Sequence, residues 1–342
     1  MISNTQCLPA AHRLSVEHFD LNGGRRGADG VGAPEGMFER PIDLGIFKPH
    51  QFTLCTRADG RRRQSVGKFY GSDYRNLGWR VGSEMTPSTG TLLTPQDRSP
   101  VGIENPSGSS PFLLVGDHAG LAVPQRLDAL GLDSAELSRH IGWDIGVRAL
   151  GCRLAEALDA MFIHQIYSRL VVDCNRSPGN PAAIPEVSDG TEVPANLHLD
   201  APAKAERIAA IHRPYHDAIG GELQRREAAG TPTVLVALHS FTPRLGGVDR
   251  PWHVGILHNG GNDRFAKRLL SELQQIGSFE VGDNQPYRLD EKDYTIPAHA
   301  FSAHIPYVEI EIRQDLLASE EGIASWCGVL GAALPAALDC SL

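Results

Sequence analysis

Two histidines in this 342-residue chain stand where runs of apolar residues end. In "LLVGDHAG" the run closes on Asp117 and His118, and in "VLVALHSFTP" it closes on His239. Small or turn-forming residues follow each imidazole and free its side chain to point outward. A third run, "YVEIEIRQD", carries Glu309, Glu311 and Arg313 at alternate positions, which an extended backbone places on one face. Zinc takes imidazole nitrogen and carboxylate oxygen from proteins, and a catalytic site keeps one position open for water. Two histidines at equivalent strand ends, beside an acid-bearing strand, make a candidate metal centre. The plainer alternative is that each ring hydrogen-bonds a backbone carbonyl.

Those residues need a scaffold, and from Phe112 onward the chain alternates short β-rich apolar runs with helical segments. "PFLLVGDH" predicts a buried strand, "DSAELSRHIGWDIGVRALGCRLAEALDA" a helix broken near Gly142, and "MFIHQIYSRLVVD" one strand or two. A Pro-rich loop spans residues 177–194. The segment "KAERIAAIHRPYHDAIGGELQRREAAG" predicts a helix, with Ile208, Ile211, Tyr215 and Ile219 spaced by three and four. "TPTVLVALHS" is continuously apolar, as a strand covered on both faces must be. A strand "WHVGILHN", a helix "DRFAKRLLSELQQIG", the strand "YVEIEI" and a closing helix with Ser319 as a candidate cap complete the order. This pattern predicts an α/β fold, a three-layer sandwich with a mainly parallel mixed sheet. In such a sheet, polar residues at the carboxyl ends of strands converge on a ligand crevice.

The first hundred residues differ in kind. They hold 13 Lys and Arg against 10 Asp and Glu, while the remainder holds 19 against 31. "NGGRRGADGVGAPEG" and "MTPSTGTLLTPQDRSP" are turn and linker chemistry without helical or strand period. Residues 1–97 are therefore expected to form a low-order N-terminal extension, its Arg61–Arg63 run a solvated tail, and residues 98–342 the catalytic domain. The net charge of −9 speaks against nucleic acid, whose phosphates need a basic face. No apolar run approaches membrane-spanning length, and the start lacks the basic-then-apolar order of a secretory signal, so a cytoplasmic protein with no membrane partner is expected. Six scattered cysteines with no CxxC pair argue against a thiolate zinc site or a disulfide framework.

"SPFLLVGDHAGLAVP", "SRLVVDCNR", "PYHDAI", "LHSFTP", "RPWHVGILHN", "VGDNQPY" and "EIEIRQDLL" occur in an order and spacing that resemble the N-formylglutamate amidohydrolase family, over about residues 98–335. The resemblance implies a phosphorylase/hydrolase-like α/β fold akin to zinc carboxypeptidases. It also implies a metal-activated water that cleaves an N-acyl amino acid. The first hundred residues carry no part of it.

Beside that resemblance, His118 and His239 are the expected ligands of Zn2+ or another divalent metal. Asp144 in "GWDIG" is favoured as the third; Asp117 competes, but neighbours on an extended strand point to opposite faces. Asp117 is alternatively an orienting partner of His118 or a helix cap. The family motif places the acid of "EIRQ" where a general base belongs, so Glu311 is the expected catalytic base, with Glu309 in reserve. Capturing an anionic N-acyl amino acid calls for arginine, whose planar fork matches a carboxylate with two parallel hydrogen bonds. Asn175 and Arg176 follow the strand "LVV" and resemble the pair that zinc carboxypeptidases use for a terminal carboxylate; a salt bridge from Arg176 to Asp173 is the structural alternative. Arg148 and Arg313 are weaker candidates for a second carboxylate or the formyl oxygen, and His216 for a substrate contact. His212 and His216 lie four apart, but Pro214 and the lack of an HExxH glutamate exclude a zincin motif. His253 and His258 are expected in packing or loops, "HNGGND" in a turn, and Ser240 orienting a neighbour. The expected activity is metal-dependent hydrolysis of an N-acyl amide, foremost N-formyl-L-glutamate to formate and L-glutamate. A carboxypeptidase-like amidase on another acyl amino acid or peptide, and a non-catalytic ligand-binding relative, are the alternatives.

Overall fold

The computed structural model describes residues 92–338. The Arg61–Arg63 run, and the expected extension up to residue 91, lie outside the described residues. Seven strands form one sheet: β1 (Val101–Glu104), β2 (Phe112–Gly116), β3 (Met161–Gln165), β4 (Val234–Phe241), β5 (Val254–Leu257), β6 (Val281–Asp283) and β7 (Tyr307–Arg313). Their spatial order is β1-β3-β2-β4-β7-β5-β6. β2 runs parallel to β3 and β4, β4 to β7, and β5 to β6. Within this sheet, among the described residues, only the β1–β3 and β5–β7 pairings are antiparallel. The sheet is thus mixed and mostly parallel.

Side chains alternate between two cores. Phe112, Leu114, Val234, Val236, Val308 and Ile310 face one cluster, against helices α1 (Val147–Ala157), α3 (Arg264–Ile276) and α4 (Glu320–Ala337). Leu113, Val115, Leu235, Ala237 and Tyr307 face the other, under helix α2 (Arg213–Ala228), whose Tyr215 and Ile219 pack there with Ile211 just before it. Coverage on both faces is why β4 reads as an unbroken apolar run, every one of its residues being buried. Truncating a core leucine such as Leu114 to alanine is therefore expected to cost roughly 2–5 kcal/mol. Leu92 is buried in the second cluster, so the packed structure takes in the chain from its first described residue.

Three elements depart from the periodicity. The segment 133–160 is helical only over Ser134–Leu137 and α1; between them the chain turns and carries Asp144. Gly146 has φ 84°, a left-handed conformation in which glycine is unstrained, and it sets the entry to α1. A side chain at this position would also run into Leu317. "MFIHQIYSRLVVD" supplies only β3; Leu170, Val171 and Val172 are buried as turns in the second core, and apolar content alone does not distinguish that from a strand. The Ala201–Arg207 helix continues into α2 through a π-helical turn, Ile208–His212, which ends two residues before Pro214 in the first turn of α2. Proline lacks the N–H an α-helix would need, and the wider turn accommodates it. Ser319 caps α4 by accepting from the Gly322 N–H. Among the described residues, no helix is long and apolar enough to cross a membrane.

Candidate metal centre

His118 lies two residues beyond the end of β2, and His239 is the sixth residue of the neighbouring β4, so both reach the same rim of the sheet. Their ring centroids are 5.0 Å apart. Asp144 comes to them on the turn before α1. Its backbone N–H donates to the His118 carbonyl at 2.9 Å, and Ser240 Oγ donates to the next carbonyl, that of Ile145, at 2.9 Å. Asp144 Oδ2 is thereby held 2.8 Å from His239 Nδ1 and 3.3 Å from His118 Nδ1. His118, Asp144 and His239 each offer one ligand atom within 4.8 Å of the others, all from buried side chains.

The far nitrogen of each ring meets another carboxylate. His118 Nε2 lies 2.7 Å from Asp173 Oδ1, and His239 Nε2 lies 3.2 Å from Asp117 Oδ2, a distance of charge contact without hydrogen-bond alignment. Asp117 therefore faces His239, not its neighbour His118; its other oxygen accepts from Thr295 Oγ1 at 2.8 Å. Carboxylates behind metal-binding histidines fix ring orientation and raise ligand basicity. Asp173 in turn is gripped by Arg169, whose Nε and Nη2 lie 3.1 and 2.6 Å from Oδ2.

Electrostatics follow from this crowding. Burial and Arg169 oppose a proton on His118, but Asp173 and Asp144 prevail and raise its pKa. Burial likewise opposes charge on His239, and Asp117 and Asp144 lift it well above the ordinary imidazole value. Burial favours a neutral Asp117, yet the His239 and His118 charges hold it at about 2. Against their burial, Asp144 is held below the usual range by His118 and His239, and Asp173 by Arg169 first and then His118. At this rim four buried atoms, Asp117 Oδ2, His239 Nε2, Glu309 Oε2 and Glu311 Oε2, have no hydrogen-bond partner among the described residues. Buried polar atoms are rarely left so. Two imidazoles, a carboxylate and unsatisfied oxygens converging on one rim suit a divalent cation with nitrogen and oxygen ligands.

A cleft of about 290 Å³ opens over the triad, with Glu309 and Glu311 in its wall. In the β4–β7 ladder Glu311 is the register partner of His239. Burial pushes Glu311 up to about 7 and Glu309 well above the carboxylate range.

A model of the N-formylglutamate amidohydrolase family matches residues 110–318. The chain belongs to this family. A solved gene product of Agrobacterium tumefaciens is 36% identical, with a TM-score of 0.70, over 72% of this chain and 97% of its own. An N-formylglutamate amidohydrolase from Ralstonia eutropha JMP134 is 21% identical, with a TM-score of 0.51, over 70% and 97% respectively, a likeness of fold. No curated protein matches the chain. As a member of the N-formylglutamate amidohydrolase family it is a hydrolase of carbon–nitrogen bonds other than peptide bonds.

In this amidohydrolase, Asn175 and Arg176 both line the cleft. Arg176 does not pair with Asp173, which Arg169 and His118 already occupy. Its Nη1 donates instead to Asp293 Oδ1 at 3.0 Å and to the carbonyls of Asn175 and Lys292 at 2.9 and 3.2 Å. The Nε–Nη2 edge of the guanidinium has no partner among the described residues. Asn175 Oδ1 accepts from the N–H groups of Tyr294 and Thr295 at 2.9 and 3.0 Å, which ties the two cleft loops together.

Three expected substrate contacts lie elsewhere. Arg148 is exposed on the outer face of α1, because its helical neighbours Val147, Leu150 and Leu154 take the inner face. Arg313 is buried and held by Asp315 at 2.9 and 3.2 Å, off the cleft. His216 lies beneath the site: its Nε2 donates to the Cys174 carbonyl at 2.8 Å and its Nδ1 meets His299 Nε2 at 3.0 Å. Its partner across a helical turn, His212, donates to the Arg176 carbonyl at 3.0 Å. Both histidines thus support the Asn175–Arg176 loop from below. His258 contacts Asp283 at 2.9 Å and Asp263 at 3.6 Å in the turn before α3.

Among the cleft residues that sequence patterns left unnoticed are Arg169, Tyr287, Arg288 and Lys292. The Arg169–Asp173 spacing of four was a usable signal for an ion pair; the others lie in an irregular loop with no period to read.

Proposed function

We propose that the chain hydrolyses N-formyl-L-glutamate to formate and L-glutamate with a divalent cation, zinc in the first instance, held by His118, Asp144 and His239. The observation that carries the reading is the meeting of those three side chains beside the unsatisfied Glu311 carboxyl in one cleft. A cation bound there supplies Lewis-acid polarisation of a carbonyl and acidification of water.

The chain's own residues account for the rest of the chemistry. Glu311 accepts a proton from the attacking water and returns it to the departing glutamate nitrogen. One carboxyl serves both roles best when its pKa lies near the working pH, and burial brings Glu311 to about 7. Arg176, with Nη1 already anchored, presents its Nε–Nη2 edge to a substrate carboxylate, the two-point geometry that guanidinium prefers. Asn175 and His212 hold the backbone from which Arg176 extends. The test is formate release from N-formyl-L-glutamate by the purified chain, with and without chelator. Undiminished turnover by metal-free protein sinks the metal mechanism; no release from this substrate but release from another N-acyl amino acid reassigns the specificity.

A further inference from the structure

The cleft holds four cationic side chains, and two of them are already committed. Arg169 spends Nε and Nη2 on Asp173 and faces Asp144 with Nη1 at 3.5 Å. Arg176 is anchored to Asp293 and has one free edge, enough for one carboxylate. Arg288 and Lys292 remain. Both are exposed, and among the described residues neither side chain has a hydrogen-bond or ion-pair partner.

Their loop is well held even though their side chains are free. Asn259 Nδ2 donates to the Leu289 carbonyl at 2.9 Å, and Arg176 donates to that of Lys292. Arg250 donates to Tyr287 Oη at 2.9 Å and stacks over its ring at 4.8 Å. Asp293 Oδ2 accepts from the Asp290 N–H at 2.9 Å, closing the turn on itself. A clamped backbone presenting uncommitted cations at a cleft mouth is preorganised for an anion, because little further ordering is needed on binding.

We infer that Arg288 and Lys292 read the distal, side-chain carboxylate of a dicarboxylic N-acyl amino acid, while Arg176 takes the other. The inference rests on the reading of the cleft as an N-formylglutamate site and assigns its specificity to residues outside the metal centre. It predicts discrimination against the neutral isostere N-formylglutamine, which matches the substrate in size but lacks the charge.

The experiment is calorimetric binding of N-formyl-L-glutamate and N-formyl-L-glutamine to the full chain carrying Glu311→Gln, which slows consumption of the ligand, with formate release followed separately in the unsubstituted protein. The Glu311→Gln protein is expected to prefer the glutamate ligand by roughly 10- to 100-fold, as for hydrogen bonds between charged groups. Adding Arg288→Ala and Lys292→Ala should collapse that ratio toward one. Both residues are exposed, so the variants should fold, which thermal melting verifies. Equal affinities before those substitutions, no binding of either ligand, or a preference that survives the double substitution each overturn the inference. Binding with the expected preference but no formate release overturns the deformylase reading and leaves this one standing.

Discussion

Glu311 and His239 are register partners across the parallel β4–β7 ladder, which fixes the carboxyl beside the imidazole through backbone pairing and not through a flexible loop. Glu311→Gln keeps size and hydrogen-bonding capacity but removes the base. Turnover should fall by roughly 10²- to 10⁴-fold, with the bound-metal content of the purified protein unchanged. Glu309→Gln, two residues away on the same face, should cost much less. The reverse order of the two losses would move the base to Glu309.

Metal uptake should release protons. Three carboxylates, Asp117, Asp144 and Asp173, are held ionised by low pKa, and His118 and His239 are raised, so the metal-free site balances three negative charges with two imidazolium groups and Arg169. A divalent cation displaces the imidazolium protons because imidazole must be neutral at the donor nitrogen, so protons leave as the cation binds. The raised histidine values mean that apparent affinity climbs as pH rises, until the rings deprotonate without help. Zinc titration calorimetry in buffers of different ionisation enthalpy counts the protons; a count near zero at neutral pH contradicts the charge balance.

Asp173 and Asp117 touch the far nitrogens of His118 and His239, and so they should tune a metal they do not bind. Asp173→Asn and Asp117→Asn should each weaken zinc affinity by roughly 10- to 100-fold. Asp173→Asn should also leave the Arg169 guanidinium short of its main partner and lower stability. Competition with a chromogenic chelator measures the first effect. An unchanged zinc affinity in both variants would reduce these acids to packing.

How much of this was legible in the sequence depends on distance along the chain. Period-two alternation reveals that Glu309 and Glu311 share a face, and apolar runs reveal the buried strands that carry His118 just past one end and His239 near another. Those are local properties. That Asp173 stands behind His118, 55 residues away, depends on how the Ile166–Asp173 turns fold back under the sheet, and no period records it. Arg148 was misplaced for the opposite reason: "GWDIGVRAL" joins a turn to a helix, and the rotation of α1 sends Arg148 outward while Asp144, four residues earlier, turns in. The loop carrying Tyr287, Arg288 and Lys292 has turn composition, which marks a loop without saying which cleft it borders.

The histidines beneath the site should set the acid limit of stability. Burial, then the neighbouring imidazoles, depresses His216 well below the ordinary value; burial first brings His299 to about 4 and lowers His212. In the unfolded chain all three return to about 6.5. Because the folded values are the lower ones, the unfolded state takes up protons first as pH falls. The contribution of His299 is therefore unaffected above about 6.5 and drains between there and about 4, at about 1.4 kcal/mol per pH unit, with His212 and His216 acting in the same direction. His299→Gln retains a donor toward His216 Nδ1 and removes one titrating group. Urea unfolding of the two proteins from pH 7.5 to 4.5 should show the variant losing stability less steeply, by about that amount per unit. Parallel curves would mean that His299 already carries its proton in the folded protein.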